Sequence, residues 1–151
     1  MATPIPPGPR LRPYLACSDA RAAIQFYQDV FGMEVETVLT MPDGKVGHAE
    51  LGLPNLWLYL SDEFVDMGIR SPSSLGGTAV SLAIYVEDVD AVIATALEAG
   101  ATQERETKDE FFGDRVGVII DPFGHRWFVH TQIEEVGTAE MERRFAEMMN
   151  G

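Results

Sequence analysis

The spacing of apolar residues changes period several times along this chain, and the changes mark its elements. Over residues 11–17 apolar and polar positions alternate loosely, as in a strand. Ala23, Phe26, Tyr27, Val30 and Phe31 then recur at i, i+3, i+4, i+7 and i+8, one apolar face of a helix. Ser18 and Asp19 offer N-cap oxygens before it, and Gly32 stops it. Residues 34–40, 46–53 and 56–60 read as three further strands, with Asp43-Gly44 and Pro54-Asn55 as the turns between them.

The pattern then starts again. Residues 79–86 read as a strand, and Asp88 caps a helix whose apolar face is Val89, Val92, Ile93, Ala96 and Leu97, ended by Gly100. Strands are expected at 101–107 and 115–120, with a loop at 108–114 between them. Asp121-Pro122-Phe123-Gly124 is dense turn chemistry, because Pro presets φ and Gly accepts a positive one. An aromatic strand through His130 follows. Both halves thus read strand, helix, three strands. Placing Asp19 on Asp88, 69 positions on, also puts Leu15 on Ile84, Ile24 on Ile93 and Tyr59 on Phe128. Agreement in the first strand, the helix and the last strand points to an internal duplication. The fold class expected is α+β, with two tandem βαβββ modules as curved mixed sheets around a cleft.

The expected organisation is a free, Pro-rich lead-in over 1–10, a first module over 11–60, a linker over 61–78, a second module over 79–135, and a terminal amphipathic helix over 136–151. The linker is long for a compact domain and suggests a lid or crossing segment. In the terminal helix Thr138 is the candidate cap, and Met141, Phe145, Met148 and Met149 share one side. That side packs on its own module or on a partner subunit.

Composition narrows the function. Hydrophobic content of 46% and charged content of 23% are values of a globular chain. A net charge of −13 argues against nucleic acid and anionic membrane surfaces as partners, and suits a cationic small ligand or plain solubility. No apolar run reaches the roughly 20 residues of a membrane span, and residues 1–9 lack the features of a signal peptide. Cys17 is the single cysteine, so no internal disulfide forms; this favours a cytoplasmic setting, with Cys17 as a buried thiol. There is neither GxGxxG nor a Walker-type loop, and no Ser/His/Asp or Cys/His order stands out.

Pro13-Tyr-Leu-Ala-Cys-Ser-Asp19, Ala23-Ile-Gln-Phe-Tyr-Gln-Asp-Val-Phe-Gly32, Phe112-Gly-Asp-Arg115 and Asp121-Pro-Phe-Gly-His-Arg126 together resemble the vicinal oxygen chelate superfamily: glyoxalases, extradiol dioxygenases and bleomycin-resistance proteins. The resemblance covers about residues 10 to 135 and is strongest to the stand-alone glyoxalase and bleomycin-resistance type. It implies paired βαβββ modules completed in a homodimer. It also implies, in metal-dependent members, a divalent ion held by one residue on the first and one on the last strand of each module. By position those are Arg12, Tyr59, Ser81 and Phe128. None of the four suits a divalent ion, which takes imidazole, carboxylate or thiolate. Arg12 is cationic, Phe128 has no lone pair, and Ser81 and Tyr59 are neutral. No cofactor is therefore expected.

Strand parity defines the rest. If Tyr59 and Phe128 face the cleft, so do Trp57, Arg126 and His130, while Arg12, Tyr14, Ser81 and Tyr85 join its wall. Phe111 and Phe112, in a turn-rich loop, are placed to close over it. Such an aromatic lining suits a flat organic ligand, or it merely fills the concavity. His130 lacks an identifiable partner for acid/base work, and His125 braces the turn. His48 and Glu50 share a face and define an alternative, a rearranged site for a divalent metal ion. The reading is a metal-independent small-molecule-binding protein of bleomycin-resistance type, sequestering planar or cationic antibiotic-like compounds. The alternatives are a metal-dependent glyoxalase-like lyase or isomerase, and an interaction protein using its terminal helix.

Overall fold

A computed structural model describes all 151 residues. The element order is β1 (Tyr14–Cys17), α1 (Ala20–Phe31), β2 (Glu34–Thr40), β3 (Val46–Leu53), β4 (Leu56–Asp62), a 3-10 turn (Val65–Met67) and α2 (Pro72–Leu75). It continues with β5 (Ser81–Tyr85), α3 (Val89–Glu98), β6 (Thr102–Asp109), β7 (Asp114–Ile120), β8 (Arg126–Gln132) and α4 (Thr138–Asn150). The strands form two four-stranded sheets, ordered β1-β4-β3-β2 and β5-β8-β7-β6. In each, the first strand runs parallel to the last and the other pairings are antiparallel. The chain divides into two compact units, Met1–Ala79 with Pro122–Gly124, and Val80–Asp121 with His125–Gly151.

The duplication extends to individual hydrogen bonds. Tyr14 pairs with Tyr59 in the first parallel ladder and Ala83 with Phe128 in the second, each residue 69 positions after its counterpart. Asp19 caps α1 through the Ala22 N–H, and Asp88 caps α3 through the Ala91 N–H. The last strand of each unit also sends a side chain to the first N–H of its own helix: the Ala20 N–H donates to Asp62 Oδ1 at 2.8 Å, and the Val89 N–H donates to Thr131 Oγ1 at 2.9 Å. These N–H groups lack intrahelical acceptors, so the side chains tie helix start to sheet in both units.

Alternation splits each sheet into two faces. Leu15, Cys17, Ala49, Leu51, Leu58 and Leu60 are buried with Ile24, Tyr27 and Phe31 of α1, and Phe123 lies against Phe26 and Tyr27 within the same unit. In the second unit Ile84, Ile119, Trp127 and Val129 are buried with Val89, Ile93 and Ala96. Leu97, expected on the apolar face of α3, lies at its exposed margin, 38% accessible. Cys17 is fully buried, as its apolar setting indicated.

Several boundaries differ from expectation. Residues 61–78 are not a plain linker: β4 runs through Asp62, the Phe64↔Ile69 bridge closes the 3-10 turn, and α2 follows. The loop expected at 108–114 is shorter, since β6 extends to Asp109 and β7 opens at Asp114. Thr138 is the first helical residue of α4, and Gly137 occupies the cap position without a side-chain bond. The lead-in is not free at its inner end: the Arg12 side chain donates to the carbonyls of Pro7 and Pro9, at 3.2 and 2.9 Å. Gly8 there has φ 95°, and a Cβ on it would stand 3.1 Å from Trp57 Nε1. No helix is long and apolar enough to cross a membrane.

Candidate functional site

The face of each sheet turned away from its helices carries the chemistry. In the first unit Tyr14, His48, Glu50, Trp57 and Tyr59 share that face, with Arg12 at its edge. The guanidinium of Arg12 lies 5.3 Å from the Trp57 ring and 5.6 Å from the Tyr59 ring, and its Nη1 donates to the Tyr59 hydroxyl. The chain's own Arg12 thus occupies the cation position over both rings.

His48 has both ring nitrogens engaged. Nε2 stands 3.1 Å from Glu50 Oε1 and Nδ1 stands 2.6 Å from the Tyr14 hydroxyl. A carboxylate only accepts, so Nε2–H donates to Glu50 and Nδ1 accepts from Tyr14. Burial, then the charge of Glu50, push the Tyr14 phenol up, so it remains a donor. A metal ion here would displace one of these bonds and find two protein ligands; nowhere do three His, Cys, Asp or Glu side chains come together as a donor set.

In the second unit Ser81, Tyr85, Arg126, Phe128 and His130 share the corresponding face. Asp114, at the start of β7, is buried there and accepts two bonds on Oδ2, from the Tyr85 hydroxyl at 2.6 Å and from His130 Nδ1 at 2.9 Å. The shared carboxylate fixes the imidazole with Nδ1–H inward, so Nε2 carries the lone pair. The Asp114 bond, then burial and the carboxylate's charge, raise the Tyr85 phenol. His130 also touches rings on two sides of the sequence, Tyr85 at 5.0 Å and Phe112 at 6.1 Å between centroids.

Phe111 and Phe112 sit edge to face in the tight turn between β6 and β7. Gly113 makes that turn possible: its φ is 94°, and a Cβ would collide with the Glu134 carbonyl oxygen. Behind the turn, α4 packs on its own unit. Phe145 meets Phe111 at 5.6 Å, and Arg144 bonds the Phe111 carbonyl and Glu134. Ser81 is exposed and lies opposite Arg126 in the ladder. Arg126 is held by Glu104 at 2.8 Å. Arg105 lies over the Phe128 ring at 5.5 Å. His125 belongs to the turn, its N–H donating to Asp121 Oδ1 and its carbonyl accepting the Asp121 N–H.

The sequence placed Tyr85, Phe112, Phe128 and His130 together but missed Asp114 and Arg105. Asp114 carried a signal, since it shares strand parity with Val116 and Val118 at the start of an apolar run. Arg105 carried none. Register shifts on both sides of it, at Gln103/Arg105 and Arg105/Lys108, break the alternation that parity relies on.

Two sheets of this topology, each with a parallel first and last strand and a helix behind, define a tandem βαβββ protein. Residues 11–129 match the model of the Glyoxalase/Bleomycin resistance protein/Dioxygenase superfamily, and the chain belongs to that family. Among curated proteins, Uncharacterized protein Rv0887c of Mycobacterium tuberculosis is 39% identical over 146 residues, covering 95% of this chain and 86% of the relative. Among solved structures, protein PA1353 from Pseudomonas aeruginosa superposes with a TM-score of 0.66 at 22% identity, covering 81% of this chain and 96% of that one. The fosfomycin resistance protein FosX of Listeria monocytogenes, solved with Mn(II) and sulfate, gives a TM-score of 0.65 at 15% identity, covering 89% and 95%. At these identities the solved structures establish the fold alone.

Proposed function

We propose that the chain is a metal-independent binding protein for a small planar organic molecule, held on the open face of a module. One observation carries the reading: in the second unit the rings of Tyr85 and Phe112 flank His130, which Asp114 aims together with the Tyr85 hydroxyl, and Phe128 follows on the same face. An apolar lining with few convergent polar atoms is the usual make-up of a small-molecule site. The positions that hold metal in metal-dependent relatives support it from the other side, since Arg12 and Tyr59 bond each other and Ser81 and Phe128 offer no suitable donor. Sequestration of an antibiotic-like compound in the cytoplasm, by a homodimer, is the form of the function this reading favours.

The test is a calorimetric screen of planar aromatic compounds, cationic, neutral and acidic, bleomycin-like ones included, against wild type and Phe112→Ala. Binding in the micromolar range, weakened about fivefold to thirtyfold in the variant, is expected, as for loss of one ring contact of about 1–2 kcal/mol. Failure of the whole panel to bind overturns the proposal. So does stoichiometric metal in the purified protein together with lyase or isomerase activity on adding Ni²⁺, Zn²⁺ or Mn²⁺, which selects the glyoxalase-like alternative at His48 and Glu50. Mass in solution checks the dimer.

A further inference from the structure

His130 is arranged more specifically than a space-filling ring requires. Its Nδ1 is committed to Asp114, which is 3% accessible, and that carboxylate also takes the Tyr85 hydroxyl. Its Nε2 makes no hydrogen bond and is not sealed from solvent. A buried carboxylate on one ring nitrogen fixes the tautomer and orientation of the imidazole, so Nε2 presents its lone pair as a positioned proton acceptor.

The surroundings say what would deliver that proton. Val116, opposite His130 in the ladder, and Val118, opposite Phe128, are buried beside them and make the neighbourhood apolar. Tyr85 and Phe112 add rings beside the imidazole. Phe128 lies two residues from His130 on the same face, about 7 Å along the strand, and Arg105 rests over it without a hydrogen-bond partner for its guanidinium. An aromatic floor with a base at one end and an unpaired cation nearby suits a flat molecule that is neutral in solution and becomes an anion on arrival.

We propose that the second unit binds a planar weak acid of phenol or enol type and takes its proton at His130 Nε2. The ligand's O–H bond breaks as Nε2–H forms. A phenolate is left beside an imidazolium whose other N–H stays on Asp114, and Arg105 balances the new negative charge. Nothing is oxidised, and release reverses the transfer. A carboxylate ligand is disfavoured, since the net charge of −13 repels a molecule already anionic as it approaches. A neutral phenol meets no such barrier.

This inference rests on the small-molecule reading above, and 4-nitrophenol separates the two, because its phenol and phenolate absorb at different wavelengths. The experiment titrates it at its free pKa, where about half is ionised and an ordinary imidazole is mainly neutral; a shift of one unit on binding raises that to about nine-tenths. Wild type is expected to show this increase. His130→Gln, which keeps a hydrogen-bonding side chain but no basic nitrogen, is expected to lose it, with fold checked by circular dichroism and thermal midpoint. Arg105→Gln is expected to weaken binding about threefold to tenfold, and 4-nitrobenzoate to bind at least tenfold more weakly than the phenol. An equal spectral shift in His130→Gln overturns the inference. Binding without ionisation overturns it too, while leaving the small-molecule reading in place. If neither 4-nitrophenol nor any panel compound binds, both fall.

Discussion

At the scale of single residues, Asp114 is the side chain on which the second unit's polar chemistry depends. One oxygen of a buried carboxylate serves both Tyr85 and His130, so neutralising it changes two groups at once. In Asp114→Asn the Tyr85 phenol loses the carboxylate acceptor that chiefly raises it. Tyr85 should then titrate at lower pH than in wild type, read as the tyrosinate absorbance missing from Tyr85→Phe; an unchanged midpoint would break the assignment. Gly113 is the neighbouring case, held with positive φ against the Glu134 carbonyl. Gly113→Ala meets both strain and collision, and a loss of about 2 kcal/mol or more is expected in denaturant unfolding. Gly137→Ala, on open ground at the helix start, is the matched control, expected to cost about 1 kcal/mol or less.

At the scale of elements, the helices were legible because period and caps agreed: Asp19 and Gly32 bracket α1 as the spacing indicated, and Asp88 starts α3. What periodicity cannot report is a side chain returning from a distant strand. Asp62 and Thr131 do this, and nothing near them in sequence announces it. Thr131→Val keeps the shape and leaves the Val89 N–H unpaired, so a loss of about 1–2 kcal/mol is expected. Charged β6 runs longer than its residue pattern suggests, and α4 lacks the cap expected of Thr138, because Lys, Asp and Thr signal turns and caps only on average. The terminal helix also has a pH dependence. Arg143 and Arg144 hold Glu140 at about 2, and Arg144 holds Glu134 below its ordinary value. A carboxylate depressed in the folded state stabilises above its unfolded pKa, and that contribution is lost as pH falls from the usual carboxylate range toward about 2. Amide exchange in α4 should therefore accelerate over that interval more than exchange in α3. Equal acceleration in both helices would remove the ion pairs as the cause.

At the scale of the whole molecule, the excess of 24 acidic over 11 basic residues sets two opposing salt effects. Exposed pairs such as Arg143 with Glu147 weaken as salt screens them, which lowers stability. Repulsion among the unpaired carboxylates weakens too, which raises it. Pairs of this kind contribute little individually, whereas the net charge of −13 acts on the compact state as a whole. Repulsion should dominate. Raising ionic strength from about 0.01 M to about 0.15 M shortens the screening length from roughly 30 Å to roughly 8 Å. The thermal midpoint at pH 7 should then rise by about 3 °C, the change expected of about 1 kcal/mol in a chain of this size. The same screening should leave the affinity for a neutral phenol nearly unchanged while improving that for 4-nitrobenzoate, because only the second ligand approaches as an anion. A midpoint that falls with salt would mean that the ion pairs, and not the carboxylate excess, govern the stability of the fold.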